Sequence, residues 1–325
     1  MELWDIYDKF RSKKGYIHER GKRFKTGEYH LVVHVWIMND KGEYLIQKRQ
    51  AWKHGFPNMW EGSAGGSVIA SESSKEAALR EVKEEIGIDL EENNLERIFS
   101  IKFKHGFDDI WFIKQNIDIN DVVLQHEEVA EVKWASIDEI REMYDRGEFI
   151  PFKYLDELFK ISTSKIQLKI AKLDESEELL EIQKQVFTPL FNKYEDYETS
   201  PIFEELYSFK ERIKNNDYYK ILYNDKIIGG VNVRIIESGK MKLRIINILE
   251  EYQNKKIGQE VLRRLEIMYP EVDCWELMTI LNEERNCNFY EKMGYSQVIK
   301  KVVNPKMTLV LYKKEHNILR IEPLV

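Results

Sequence analysis

Glu81, Glu84 and Glu85 close the stretch GGSVIASESSKEAALREVKEEIGI, residues 65–88. At about 100° per residue the three carboxylates fall within about 100° on one helix face. Like charges at i and i+4 repel by about 0.2–0.5 kcal/mol per pair on an isolated helix. A hard divalent cation, which takes oxygen ligands, would offset that repulsion; a solvated acidic face is the plainer use of the same residues. Arg80 stands four residues before Glu84, and within reach of Glu72 if the intervening loop folds back.

Positioning these groups requires a helix with a fixed start. Ser73-Ser74-Lys75-Glu76 matches the capping box, a hydroxyl three residues ahead of a Glu, and predicts a helix from Ser74. Gly87 supplies its stop. Ala78, Leu79, Val82 and Ile86 form an apolar stripe beside the acids, so the helix can bury one side and present the other. Ahead of it, Gly65 and Gly66 permit backbone conformations that a Cβ forbids.

Strand-like runs surround this helix. Residues 30–49, HLVVHVWIMNDKGEYLIQKR, read as two strands joined through Asn39-Asp40-Lys41-Gly42, and residues 100–106, 110–117 and 129–135 as further strands. One helix among many strands predicts an α+β fold, a sheet packed on that helix. The pattern breaks at ISTSK, residues 161–165, a polar run of small residues read as a linker. Residues 166–173 restart as a strand and 174–187 as a helix, which divides the chain into domains 1–161 and 166–325. At 325 residues it is long enough for two such domains, each with its own core.

The formal charge of −7 arises from abundant residues of both signs, a mixed surface that argues against nucleic acid as a partner. No apolar run approaches the roughly 18 residues of a membrane span, and the opening MELWDIYDKF carries charges where a signal peptide needs an apolar run. Cys274 and Cys287 form neither a disulfide framework nor a zinc-spaced set. Together these features are read as a cytoplasmic protein with reduced thiols and no membrane partner.

The full spacing around the acids goes further. From Gly66, five residues lead to Glu72 and seven more to Arg80-Glu81, followed by Val82, Lys83, Glu84, Glu85, Ile86, Gly87 and Ile88. These fill every defined position of the Nudix box, Gly-x5-Glu-x7-Arg-Glu-apolar-x-Glu-Glu-x-Gly-apolar, and residues 1–161 resemble the Nudix hydrolase superfamily. The resemblance implies a Nudix fold, a mixed sheet with packed helices, with Mg²⁺ or Mn²⁺ held by Glu81, Glu84 and Glu85. It implies that Arg80 and Glu72 pair to hold the loop against the helix. The implied reaction is attack of water on a diphosphate linkage in a small, nucleoside-diphosphate-like substrate, with metal neutralising the developing charge and activating the water.

Residues 29–66 look like the branch that contains type I isopentenyl diphosphate isomerase, through His30, Gln47 to Arg49, Lys53 and a Phe-Pro followed by Trp60. The isomerase's catalytic cysteine and metal-binding histidine fall where this chain has Gly65 and Ser67, and its Glu-His-Glu stretch is Gly106-Phe107-Asp108 here. A glycine delivers no proton, so hydrolysis is preferred and isomerisation is the alternative. Arg49 and Lys53 are candidate phosphate donors, with Gly65 and Gly66 beside the substrate. Asp108, Glu127 and Glu128 lie in segments from which the superfamily recruits an extra metal carboxylate. Trp52, Phe56, Trp60 and Trp111 are read as core before ring-stacking groups, and His30 and His34 as structural.

In the second half, residues 226–236 and 242–248 read as strands, and a loop at 250–256 opens into a helix with apolar Ile257, Val261, Leu262, Leu265 and Met268. Backbone N–H groups at such a helix start can cradle a pyrophosphate. A strand at 274–281, Asn282, NFYEKMGYSQV at 288–298 and a final strand at 307–314 follow. This order resembles the GNAT N-acetyltransferase superfamily: Gln253 to Gly258 matches its Gln/Arg-x-x-Gly-x-Gly/Ala loop, and Phe289-Tyr290 through Gly294-Tyr295 its Phe-Tyr-x-x-x-Gly-Phe signature. The resemblance implies a GNAT fold that takes acetyl-CoA as acyl donor and an amine as acceptor. Backbone amides of Gln253, Asn254, Lys255, Lys256, Ile257 and Gly258 would hold the pyrophosphate, and Asn247, Ile248 and Leu249 the thioester. Asn282 would contact the pantetheine arm and Tyr290 would protonate the departing thiolate. Lys256 departs from the pattern, which asks for glycine there; a binding module without catalysis is the alternative for this half.

Overall fold

The computed structural model describes residues 2–315. A two-stranded antiparallel ribbon, β1 (Leu3–Tyr7) and β2 (Lys13–Glu19), opens the chain. β3 (His30–Met38) and β4 (Tyr44–Arg49) follow, joined through left-handed Gly42, then β5 (Trp60–Glu61), β6 (Ala64–Ser67) and helix α1 (Ser74–Ile86). Next come β7 (Glu96–Phe103), β8 (Gly106–Lys114), β9 (Val129–Ala135) and helices α2 (Ile137–Asp145) and α3 (Leu155–Ser162). β3 is central, parallel to β8 and antiparallel to β6, in a mixed sheet of order β5-β4-β3-β8-β7, with β9 on β4.

Period-two alternation divides β3 between two cores. Val33, Val35 and Ile37 pack with Ala77, Ala78, Val82 and Ile86 of α1. Trp36 and Met38 pack on the other face with Ile140 and Met143 of α2 and Leu155, Leu158 and Phe159 of α3. Each fully buried aliphatic side chain contributes about 1.5–3 kcal/mol, so the sheet fixes α1 firmly. The sequence shows only α1 in this half; α2 and α3 cover the second face. Ile161 and Ser162, read as linker, are the buried last turn of α3, where Ser162 Oγ meets Tyr44 Oη at 2.5 Å.

A second seven-stranded sheet begins with β10 (Ile166–Ile170), followed by α4 (Ser176–Tyr194), α5 (Leu206–Asn215), β11 (Asp217–Tyr223), β12 (Lys226–Glu237) and β13 (Lys240–Ile248). Then come α6 (Ile257–Met268), β14 (Cys274–Ile280), α7 (Glu284–Lys292), β15 (Ser296–Asn304) and β16 (Met307–Glu315). The order is β10-β11-β12-β13-β14-β16-β15, and α6 forms the crossover that the parallel pair β13–β14 requires. Pairing of β13 with β14 runs from Lys240↔Cys274 to Leu243↔Leu277 and stops, although both strands continue.

The described chain forms two compact units, one of residues 2–163 with 267–271, the other of residues 164–266 and from 272 onward. No helix among the described residues is long and apolar enough to cross a membrane.

Candidate active sites

Ser73 caps α1 as its spacing predicts: Ser73 Oγ accepts from Glu76 N at 3.2 Å, and Glu76 accepts from Ser73 N at 2.8 Å. Gly87 ends the helix at φ 74°. With the apolar stripe buried, Glu85 is enclosed, Glu81 half-buried and Glu84 exposed. Arg80 organises their charge. Its Nε and Nη2 donate to Glu72 at 2.8 and 2.9 Å, and Nη2 also donates to Ser67 O at 3.1 Å, which clamps the loop to the helix. Nη1 donates to Glu81 at 2.7 Å and Glu84 at 3.0 Å.

Glu85 has a different environment. It accepts from Gln47 Nε2 at 2.9 Å and Gly65 N at 3.1 Å. Burial, then the nearby Glu61 and Glu81 carboxylates, push its pKa up to about 8, against the hydrogen bonds from Gln47 and Gly65. Burial also raises Glu81, against the pull of Arg80.

Gly65 and Gly66 lie in β6 with no positive φ, so the expectation of special backbone torsions is corrected. Space is what excludes a side chain. A Cβ on Gly66 would lie 2.2 Å from Glu81 Oε1, and one on Gly65 would lie 2.8 Å from His34 Cδ2 and 3.1 Å from Val33 O.

Hard carboxylate donors, an enclosed Glu85 short of positive charge and a floor without Cβ at Gly66 fit a divalent cation. Among the described residues no three His, Cys, Asp or Glu side chains already converge on one point. Arg80 draws Glu81 and Glu84 to itself while Glu85 turns to Gln47.

Neither candidate phosphate donor is unengaged. Arg49 Nη1 donates to Glu61 at 2.8 Å and Nε to Gly55 O at 2.8 Å, while Lys53 pairs with Glu128. Asp108 faces His34 instead of the acidic helix, 3.2 Å from Nδ1, which lies 2.8 Å from Tyr154 Oη. Burial lowers the His34 pKa to about 4 and keeps the ring neutral. Glu127 is exposed. His30 stacks on Trp4 at 4.5 Å, and Trp111 is buried with Nε1 donating to Ser74 Oγ at 3.0 Å, both packing roles.

In the second unit, Gln253 to Lys256 lead into α6 with Asn254 and Lys256 left-handed, φ 58° and 61°. A cavity of about 760 Å³ opens here, lined by Gln253, Asn254, Lys256, Ile257 and Gly258 and by Asn247 and Ile248 at the end of β13. Gln253 Nε2 donates to Ile248 O at 2.8 Å, which ties the loop to the strand. Lys255 sits outside this lining, its ammonium 5.3 Å from the Tyr252 ring centroid. Leu249 is buried and also outside the lining. Asn282 Oδ1 accepts from Thr308 N at 3.3 Å and Asn282 lies outside this lining, to which α7 contributes Asn286 and Asn288. Tyr290 lines both this cavity and a smaller neighbour of about 280 Å³. Burial, then Cys287, raise its pKa, so the phenol stays protonated.

Residues 28–158 match the NUDIX domain family and residues 176–295 the acetyltransferase (GNAT) family. A Listeria innocua protein described as an uncharacterized Nudix hydrolase is 44% identical over 164 residues, which cover 50% of this chain and 97% of the relative. This chain belongs to the Nudix hydrolase family. A Listeria monocytogenes Nudix hydrolase shows the same 44% identity over 164 residues, again 50% of this chain and 97% of the relative. A crystal structure from Deinococcus radiodurans covers 49% of this chain and 98% of its own, at 20% identity and a TM-score of 0.42. The crystal structure of an acetyltransferase from Thermus thermophilus covers 46% and 97%, at 14% identity and a TM-score of 0.39. The family match at residues 176–295 makes the second half of this Nudix protein a GNAT domain.

Sequence reasoning missed Glu61 in this Nudix hydrolase. It is buried, holds Arg49 and raises the Glu85 pKa, yet it stands in a two-residue strand with no periodicity to mark it. Gln47 entered only through the branch resemblance; its contact with Glu85 spans 38 residues and carries no local signal.

Proposed function

We propose that the Nudix half hydrolyses a diphosphate linkage in a nucleoside-diphosphate-like substrate, with Mg²⁺ or Mn²⁺ held by Glu81, Glu84 and Glu85. The observation that carries this is Glu85, enclosed beside Glu61 and Glu81 with an amide and a backbone N–H as its hydrogen-bond partners among the described residues. When bound, the cation neutralises charge on the diphosphate and lowers the pKa of attacking water. Arg80 fixes Glu81 and the Glu72 loop, and Gln47 and the Gly65 N–H orient Glu85. Gly65 stands where the isomerase has its cysteine and offers only this N–H, which supports hydrolysis over isomerisation. Arg49 and Lys53 would reach phosphate by exchanging Glu61 and Glu128 for it.

For the GNAT half we propose acetyl transfer from acetyl-CoA to an amine. The α6 start and its preceding loop would hold the pyrophosphate, and Tyr290, lining both cavities, would protonate the departing thiolate. We place the boundary between the halves within residues 161–166.

The test is phosphate or nucleoside monophosphate release from nucleoside triphosphates, nucleotide sugars, dinucleoside polyphosphates and CoA, with and without Mg²⁺. Metal-dependent cleavage of one class, lost in Glu84→Gln and Glu85→Gln, is the expected result; cleavage untouched by either substitution overturns the metal assignment. Calorimetric titration with CoA tests the second half.

A further inference from the structure

The parting of β13 and β14 after Leu243↔Leu277 leaves their free ends as walls of the cavity of about 280 Å³. Phe187, Leu190 and Phe191 of α4 and Met278 and Ile280 of β14 supply an apolar wall, and Thr199, Ser200 and Thr279 are among its polar lining. Its size lies at the lower edge of small-ligand sites, about 300–1,000 Å³. That suits a single small metabolite. Asn286 and Tyr290 line this cavity and the larger one, so the two adjoin at the proposed proton donor to the thiolate.

Among the described residues, one cationic side chain lines this cavity. Arg244 of β13 lines the cavity and makes no hydrogen bond or ion pair with any described residue. Glu204, the carboxylate whose field reaches it, is held by Arg212 and by Gln183 Nε2 at 2.8 Å. Asp196, the acid in the lining, spends its oxygens on its own loop, accepting from Glu198 N, Thr199 N and Thr199 Oγ1. Partial burial, then the neighbouring guanidiniums of Arg212 and Arg234, lower the Arg244 pKa. A cationic acceptor such as a polyamine would meet this field with no unengaged carboxylate to receive it.

We propose that this cavity takes the acyl acceptor, and that the acceptor is a small, apolar primary amine carrying an anionic group that Arg244 engages. The guanidinium fork matches a carboxylate or phosphonate in a two-bonded geometry. The apolar body packs on α4 and β14, and the amine points toward Tyr290. In the transfer, the amine nitrogen forms an amide bond to the acetyl carbon and the thioester C–S bond breaks. The amine releases one proton to water and the CoA thiolate gains one from Tyr290. This assignment rests on the acetyltransferase reading of the GNAT half.

Three probes that share one amine and one ring test it: L-phenylalanine, L-phenylalaninamide and the phosphonic acid analogue of phenylalanine. Each is titrated calorimetrically into the full chain, with and without saturating CoA, and into Arg244→Gln and Arg244→Lys. At least one acid should bind about tenfold or more tighter than the amide. Arg244→Gln should erase that preference, and Arg244→Lys should keep part of it. Carboxylate against phosphonate identifies the preferred anion. Equal affinity for amide and acids, no binding of any probe, or a preference that survives Arg244→Gln overturns the assignment of Arg244. CoA binding in the same titrations judges the transferase reading separately. If CoA fails to bind while the preference persists, the anion site stands and its role as acceptor site falls. If CoA binds without the preference, the acceptor class falls and the transferase reading stands. Arg244 is exposed on its strand, so the variants retain the fold, and CoA affinity checks that directly.

Discussion

Gly66→Ala adds one carbon to the floor of the acidic site. On the existing backbone that Cβ falls 2.2 Å from Glu81 Oε1 and 2.4 Å from Glu81 Cδ, where ordinary contact begins at 3.4 Å. The carboxylate must retreat by about 1 Å. It is the tip of a flexible side chain, so relief costs the fold about 1 kcal/mol, the low end for an overpacked site. Function should suffer more. Retreat breaks the 2.7 Å bond from Arg80 and displaces one of the carboxylates proposed to hold the cation. A misplacement of that size costs on the order of 10²-fold in rate, equivalent to about 2.7 kcal/mol of barrier. The assay is kcat/KM for the cleaved diphosphate across a Mg²⁺ titration, beside thermal unfolding of the same preparation. About a hundredfold loss, a raised Mg²⁺ requirement and a Tm lowered by only a few degrees are expected. Adding Glu81→Asp draws the carboxylate back by one methylene and should recover part of the loss. Wild-type turnover at wild-type Mg²⁺ in Gly66→Ala would refute the steric account of Glu81, as would a double variant no better than the single one.

Lys256→Gly relieves a left-handed residue at φ 61°, about 1–2 kcal/mol of strain, against about 0.5–1 kcal/mol of added chain entropy in the unfolded state. The thermal transition of the GNAT half should therefore move up by about 2 °C, and a downward shift contradicts the strain argument. Burial raises the Asp109 pKa, but Arg11 and Arg97 overcome it and hold the carboxyl well below the usual range. Its stabilisation is therefore present above the unfolded value of about 3.9 and lost as pH falls through the lower folded value. Asp109→Asn should cost about 3–5 kcal/mol at pH 7, a gap that narrows below about pH 4 in urea titrations; a constant gap would count against the charge as its source. Ser73→Ala removes the bond to Glu76 N and should lower stability by about 1 kcal/mol, with hydrolysis at 25 °C unchanged.

What the sequence reveals of the acidic site is the part that depends on neighbours along one helix. The capping box, the stop at Gly87 and the Arg80 pairing to Glu72 all follow from spacings of eight residues or fewer. The partners of Glu85 come from β4 and β6, 38 and 20 residues away, and only the sheet brings them together. Gly65 and Gly66 show the limit from the other side. Their identity is legible, but the cause assigned to it is wrong, because a flat strand lying under Glu81 and His34 leaves no trace in local sequence. α2 and α3 are missed because nine and eight residues give too few turns for apolar periodicity to stand out.

The GNAT half divides in the same way, and Lys256 and Arg244 show where. At Lys256 the motif asks for glycine, and the structure supplies the reason, a left-handed turn into α6 that lysine adopts under strain. The departure is visible in sequence because the turn is local. Arg244 gives no such signal: in KLRIINI it is one of two charged residues, with Lys242, in an alternating strand, the pattern of any solvent-facing position. Its meaning depends on β14 ceasing to pair after Leu277, on Glu204 being held by Arg212 and on Asp196 serving its own loop. Three separate segments must each decline to neutralise it before it becomes a recognition group. The chemistry of a motif is therefore carried by spacing, whereas specificity is carried by charges left over after every nearby charge has found a partner.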